Sequence, residues 1–234
     1  MTFLTAKWQQ LILVNYKVNP DILKPYIPKG TVLDLYNNAC YISLVGFLFK
    51  DTRALGFKLP NHINFEEVNL RFYVTHNNKR GVVFIKEIVP KPLITFIANT
   101  LYKEHYQTCK MSHQCTENNL YKTILYKWKI NTKWQSLAVK AALKEQDILP
   151  DTEAEFITEH YYGYTKHGHK TYEYEVTHPT WKQYPVLDAT VDVDFARTYG
   201  PDFSFLNQSK PTSVLLAKGS EISVLKKRRI HQIF

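Results

Sequence analysis

Glycine and proline are scarce in this 234-residue chain, with 8 and 11 residues, together about 8% against a usual share of ~12%. The shortage excludes collagen-like and low-complexity architectures. Cysteine is rarer still: Cys40, Cys109 and Cys115 are too few, and odd in number, for a disulfide framework. No apolar run approaches the ~20 residues of a membrane helix. The N-terminal MTFLTAKWQQLILVNY carries one lysine and a four-residue apolar run, unlike a signal peptide. Gly-x-Gly-x-x-Gly, the phosphate-loop lysine motif and Gly-x-Ser-x-Gly are all missing. No nucleotide cofactor and no α/β-hydrolase chemistry is therefore expected, and no heptad pattern offers a coiled-coil partner. These absences predict a cytoplasmic protein with no cofactor and no membrane contact.

What is present is ordinary for a folded domain: 44% hydrophobic and 22% charged residues. No linker or repeat divides the chain, so one domain over 1–234 is expected. Aromatics reach 14%, with 16 Tyr and 13 Phe, and such residues suit pleated, half-buried strands. The net charge is +9, which invites a polyanion partner. Lysines are spread singly, however, and the one dense run, Lys226-Lys227-Arg228-Arg229, reads as a solvated basic tail over about 226–234. Lysine also far outnumbers arginine, whereas base and phosphate recognition favours the arginine fork. Charge permits a nucleic-acid partner without specifying one.

Alternating β-branched and aromatic segments predict strands near 7–18, 31–36, 39–49, 65–76, 80–89, 104–115, 119–129, 154–165, 170–178, 181–188 and 213–226. Turn chemistry separates them at Tyr36-Asn37-Asn38, His76-Asn77-Asn78 and His167-Gly168-His169. Asn19-Pro20-Asp21 opens a short helix. Pro92 opens a second, with Leu93, Ile94, Ile97 and Leu101 at core-facing spacing, and a third runs from Asp192 to Tyr199, closed by Gly200. Lys133–Leu149 fits a strand followed by a short helix, or no such helix. Many strands with few helices give a mostly β class, an antiparallel barrel or sandwich with peripheral helices.

The segment Phe65–Val74 carries the most chemistry. Strand side chains alternate between faces, so Phe65, Glu67, Asn69, Arg71 and Tyr73 share one face, and Val68, Leu70, Phe72 and Val74 the other. A wet edge strand would also alternate, but an Asn–Arg–Tyr row is unusual for solvent. A carboxylate, an amide, a guanidinium and a phenol at ~7 Å intervals instead suit a buried polar site. There Glu67 and Arg71 can neutralise each other, with Asn69 orienting both. Lys86, with Val82, Phe84 and Ile88 at the same parity, is a weaker candidate for a desolvated amine, the alternative being a snorkelling lysine. Cys109, His113 and Cys115 share a parity too, but at ~13 Å and ~7 Å along a flat strand they are too far apart to grip one zinc ion. Buried thiols and a surface histidine are expected, and no metal.

The row Phe65-x-Glu67-x-Asn69-x-Arg71-x-Tyr73-Val74 resembles the core motif of the bacterial domain of unknown function 2071, the YqjF-like family. Further similar segments follow in order: Val18-Asn19-Pro20 through Leu33-Asp34, Ala39–Phe47, Gly81–Phe84, and Phe156–Tyr164 with His178-Pro179-Thr180-Trp181. The resemblance spans about 8–225. It implies a fold related to acetoacetate decarboxylase, a closed antiparallel β-barrel with an internal cavity, but no reaction, since the family has none assigned. The decarboxylase's Schiff-base lysine follows Gly-x-Pro, and no Gly-x-Pro-Lys occurs here. The comparable stretch, Leu101-Tyr102-Lys103-Glu104-His105-Tyr106, has Glu104-His105 where the family has Leu-Pro.

Two functions are compatible with these features. One is a site for a small anionic, carboxylate-bearing metabolite held by Arg71, Asn69 and Tyr73, with Glu67 as general acid or base and Lys86 as a remote Schiff-base candidate, in a decarboxylase-like or lyase-like enzyme. The other is a non-enzymatic module whose basic exterior meets nucleic acid, with Glu67–Arg71 a structural ion pair.

Overall fold

A computed structural model describes residues 2–230. Seven strands form its frame: β1 (Thr2–Val18), β2 (Cys40–Ala54), β3 (Phe65–His76), β4 (Lys79–Val89), β5 (Tyr162–His167), β6 (Lys170–Thr177) and β7 (Ser213–Leu225). Pairing runs β7-β1-β2-β3-β4-β5-β6, and the end of β6 pairs again with β7 at Val176–Val224 and Thr177–Ser223. Every contact in this circuit is antiparallel except β4–β5, which is parallel at Gly81–Tyr162 and Val82–Gly163. The all-antiparallel expectation is corrected there. Gly81 permits that junction, since a Cβ on it would lie 2.5 Å from the Tyr162 carbonyl oxygen. Asn77 and Asn78, both at positive φ (49° and 61°), make the tight β3–β4 turn that favours such residues.

A second, antiparallel sheet of four strands runs in the order Val186–Asp192, Lys133–Ala141, Lys122–Ile130, Met111–Glu117. Its alternate residues Ile124, Tyr126, Trp128, Leu137 and Val139 form one core with Val68, Leu70, Phe72 and Val74. The apolar face of β3 is therefore roofed by another sheet, as the alternation predicts. Tyr73 and Phe65 belong to a separate core on the opposite face, with Tyr41, Phe156, Tyr174 and Trp181.

Several local expectations are corrected. The stretch expected as a strand from 154 begins as a helix, Glu153–Thr158, because Thr152 accepts from the Glu155 backbone N–H at 3.3 Å in a Thr-x-x-Glu capping pattern. Lys133–Leu149 holds no helix: the strand ends at Ala141, and Gln146–Asp147 pairs with Lys182–Tyr184. The 104–115 strand is broken into Tyr106–Thr108 and Met111–Glu117, and 181–188 into Lys182–Tyr184 and Val186–Asp192. In the helix Pro92–Ile97 and its continuation to Tyr102, Leu93 and Leu101 are exposed rather than core-facing. Cys115 is exposed, not buried. The basic run is no free tail as far as it is described: Arg228–Ile230 pairs with β6, and Arg228 donates to Glu173 at 2.5 Å and 2.9 Å. Residues 231–234 lie outside the described residues. No helix among those described is long and apolar enough to cross a membrane.

Candidate functional site

The polar row of β3 is buried. Glu67, Asn69, Arg71 and Tyr73 are 2%, 1%, 9% and 1% exposed, so the wet-face reading of this strand falls. The expected Glu67–Arg71 ion pair does not form, because four residues along one strand face separate side chains by ~13 Å. Asn69 instead donates to Glu67 Oε1 at 2.9 Å, and the Tyr106 hydroxyl donates to Oε2 at 3.0 Å. Arg71 donates from Nη2 to the Ile157 carbonyl at 3.3 Å, while its buried Nε has no partner. The Arg71 guanidinium lies 5.7 Å from the Tyr73 ring centroid. Tyr73 packs against His160 at 4.6 Å, and its hydroxyl shares a 2.6 Å hydrogen bond with Ser43, which donates to Asn15 at 2.6 Å. Burial lowers the His160 pKa to about 4 against the pull of Asp34, so its imidazole is neutral at pH 7.

Strand β4 does not present Lys86 to this cluster. Opposite β3 the register slips: Leu70 faces Lys86, but Arg71 faces Phe84. This bulge turns Val82 and Phe84 inward and Lys86 and Ile88 outward with Leu70. The Lys86 ammonium donates to the Thr198 carbonyl at 2.5 Å. Burial lowers its pKa, opposed by Cys109, but it sits on the far side of the sheet. The expected shared face with Val82 and Phe84 is thus overturned.

The bulge brings a residue not foreseen, Glu87, which faces Asn69 across the pair and is 2% exposed. Two more segments complete an acidic cluster. Lys103 at φ 63° turns the chain so that Glu104, 7% exposed, accepts from Thr165 at 2.5 Å beside the Tyr174 phenol. Glu104-His105, marked in the sequence only as a departure from the family pattern, was the one local signal for it. Burial raises the Glu67 pKa to about 7, with Glu104 adding to the shift and Asn69, Tyr106 and Arg71 opposing it. Glu104 is likewise raised to about 7 by burial. Glu87 is held well above the carboxylate range by burial and by its two acidic neighbours. Burial also pushes the Tyr106 and Tyr174 phenols well up. The cluster can therefore hold and exchange protons near neutrality. A cavity of about 110 Å³ reaches Glu104, Tyr106 and Tyr174 between Phe3, Ile94 and Ile97; Arg71 does not line it.

Among the described residues no group of three or more His, Cys, Asp and Glu side chains could hold a metal ion. The polyanion alternative gains nothing from the surface. Arg228 is tied to Glu173, and Lys7, Lys24 and Lys58 face Glu221, Asp21 and Asp51.

Comparison with known proteins places this geometry in context. The family model DUF2071, described as "Uncharacterized conserved protein", matches residues 5–221. Protein YqjF of Bacillus subtilis, itself uncharacterised, is 27% identical over 183 residues, covering 74% of this chain and 72% of that protein. An acetoacetate decarboxylase-like enzyme from Sphingomonas wittichii has a similar structure, with a TM-score of 0.69 at 11% identity over 100% of this chain and 95% of that one. The enduracididine biosynthesis enzyme MppR, solved with pyruvate, gives 0.67 at 11% identity over 98% and 90%. At such identities the structural likeness speaks for the fold alone. With nearly its whole length matched and the polar row of β3 in place, the chain belongs to the DUF2071 family and has an acetoacetate decarboxylase-like fold.

Proposed function

We propose that the strand circuit works as a closed barrel around a small-molecule site, in which Arg71 binds the carboxylate of a metabolite and Glu67 acts as general acid or base. One observation carries this reading. Arg71 is the one buried lysine or arginine among the described residues, it joins none of their salt bridges, and its Nε is unpartnered. A buried guanidinium without a carboxylate is costly to the fold, and an anionic ligand offsets that cost through a bidentate contact. Asn69 and Tyr73 flank it on the same face. Glu67 has the protonation range an acid–base group needs at neutral pH. That MppR was solved with pyruvate, a small keto acid, fits the same chemical class, and the reaction proposed on such an acid is decarboxylase-like or lyase-like.

The test is a thermal-shift comparison of wild type and Arg71→Met with pyruvate, acetoacetate and other small acids. Arg71→Met should cost little stability, because no carboxylate loses its partner. The acids should stabilise only the wild type, by about 2.7 kcal/mol at a hundredfold excess over Kd. No shift with any acid, together with severe destabilisation of the variant, would make Arg71 a structural residue.

The reaction needs no imine. No lysine is buried among the described residues, and Lys86 faces away. Borohydride treatment with pyruvate or acetoacetate is therefore expected to leave every lysine unmodified in the intact-mass spectrum. A stoichiometric adduct would show that a lysine reaches the substrate.

A further inference from the structure

We infer that the apolar cavity ending at Glu104 is a second binding site, one that takes a small amine with an apolar body. It stands apart from the Arg71 reading and uses none of its residues as ligand contacts. Its walls are mainly apolar, with Phe3, Leu4, Ile94 and Ile97, and carry Thr52 and His62 as polar members; its floor is Glu104, Tyr106 and Tyr174. Apolar walls with a few convergent polar groups are the usual make-up of a ligand pocket.

The hydrogen-bond inventory of the floor decides the ligand's head. A phenol has one proton to give. That of Tyr106 goes to Glu67, and Thr165 gives its own to Glu104 Oε1. On the wall the Thr52 hydroxyl, 4% exposed, has no partner, and Glu104 keeps lone pairs beyond its bond from Thr165. A ligand head that brings several donors meets both oxygens. Glu67 and Glu87 crowd behind Glu104, Glu87 Oε2 has no partner, and none of these three carboxyls joins a salt bridge among the described residues. A cation at the head meets both needs: it donates hydrogen bonds, and it relieves the mutual repulsion of the carboxyls. Tyr102, whose hydroxyl donates to the Leu225 carbonyl at 3.2 Å, separates the pocket from a neighbouring cleft lined by Lys226 and Lys227. The Lys227 ammonium lies over the Tyr172 ring, 4.1 Å from its centroid, and does not occupy the floor.

Binding should ionise Glu104 and release its proton. The groups facing it are Glu67, Glu87, Tyr106, Tyr174, Thr165, His62 on the wall of the same cavity and, from the neighbouring cleft, Lys227. Amine affinity should therefore climb with pH up to about 7, the value to which burial raises Glu104, and then level off.

Calorimetric titration with butylamine, butanol and butyrate, three heads on the same short chain, tests the assignment. Butylamine should bind at least about tenfold more tightly than butanol, the margin of a charge-assisted hydrogen bond. Glu104→Gln should remove that margin and keep butanol binding, which also shows that the variant is folded. Ile97→Trp, which fills the cavity from its wall, should abolish binding of both. Equal affinity for butanol and butylamine, or full amine affinity in Glu104→Gln, would overturn the proposal. So would butyrate binding that Ile97→Trp abolishes. Butyrate binding that survives Ile97→Trp belongs to Arg71 and bears only on the reading above.

Discussion

Stability should fall as the pH is raised from about 6 to about 8, by an amount on the order of 2 kcal/mol. Glu67 and Glu104 titrate near 7 in the fold instead of at 4.5, and burial with two acidic neighbours holds Glu87 well above 4.5 as well. In the unfolded chain all three have already lost their protons by pH 6. The native state therefore binds more protons than the unfolded state across this window, and linkage makes the slope negative. The stabilisation is fully present below about 4.5 and is lost as the pH rises through the folded values. Each carboxyl titrating near 7 contributes about 1.4 kcal/mol of loss between pH 6 and 8, and Glu87 acts in the same direction. His160 works in the opposite direction. Its folded pKa of about 4 lies below the ordinary 6.5, so it withdraws stability as the pH falls from about 7.5 towards 4 and returns about 0.8 kcal/mol between pH 6 and 8. His105 and His178, also lowered by burial, act in the same sense. The carboxyls outweigh this opposing contribution, and above about 7.5, where the histidines are neutral in both states, they alone set the slope. Against a total of about 5–15 kcal/mol for a folded domain, the loss is large. In urea the midpoint should drop by about 1 M at an ordinary m-value. Glu87→Gln with Glu104→Gln should flatten the profile. A wild-type midpoint that is constant or rises from pH 6 to 8 would mean that the three carboxyls are ionised and solvated in the native state.

The same residues show what the sequence reveals and what it hides. Period-two alternation exposes the two faces of β3, since Val68, Leu70 and Phe72 form a run that no solvent strand would carry, and a polar row opposite a roofed apolar face must itself be enclosed. The rule that puts Glu67 and Arg71 on one face also sets them two pleats apart, so the ion pair inferred from proximity in sequence could not form. A single bulged residue at Ile85 reverses the parity of the rest of β4. Alternation counted through it assigned Lys86 to the inside and overlooked Glu87. The helix at Glu153–Thr158 had its capping signal in Thr152-x-x-Glu155, but the apolar Phe156-Ile157 pair next to the hairpin was read as strand. Glu104, Tyr106 and Tyr174 have no common motif. They meet because the parallel β4–β5 junction and the left-handed turn at Lys103 bring three segments together, and neither feature has a period to detect.

Gly163→Ala should destabilise the protein by about 3 kcal/mol, the upper end for overpacking a filled interior. Gly163 is paired directly with Tyr174 across β5 and β6, and the tyrosine ring lies over the bare glycine backbone. A Cβ there would stand 2.1 Å from Tyr174 Cζ and 2.4 Å from its hydroxyl oxygen. The ring has little room to withdraw. Its hydroxyl lies on the cavity floor beside Glu104, and Tyr102 meets it edge-on, with centroids 5.3 Å apart at 88°. Moving it disturbs this buried aromatic packing, which adds to the steric cost. Gly168→Ala is the control. At φ 59° with nothing within 4 Å of its Cβ position, it should cost about 1 kcal/mol or less, through backbone conformation alone. Tyr174→Ala removes the obstacle, so the double variant Gly163→Ala with Tyr174→Ala should be more stable than the sum of the two single losses by about 1–3 kcal/mol, the range for residues in direct contact. Urea denaturation of the four proteins gives the cycle. Additive losses would mean that Gly163 is required by its own backbone and not by the ring above it. A coupling of the expected sign would make Gly163 the residue that holds Tyr174 over Glu104, tying the glycine of the hairpin to the floor of the amine pocket.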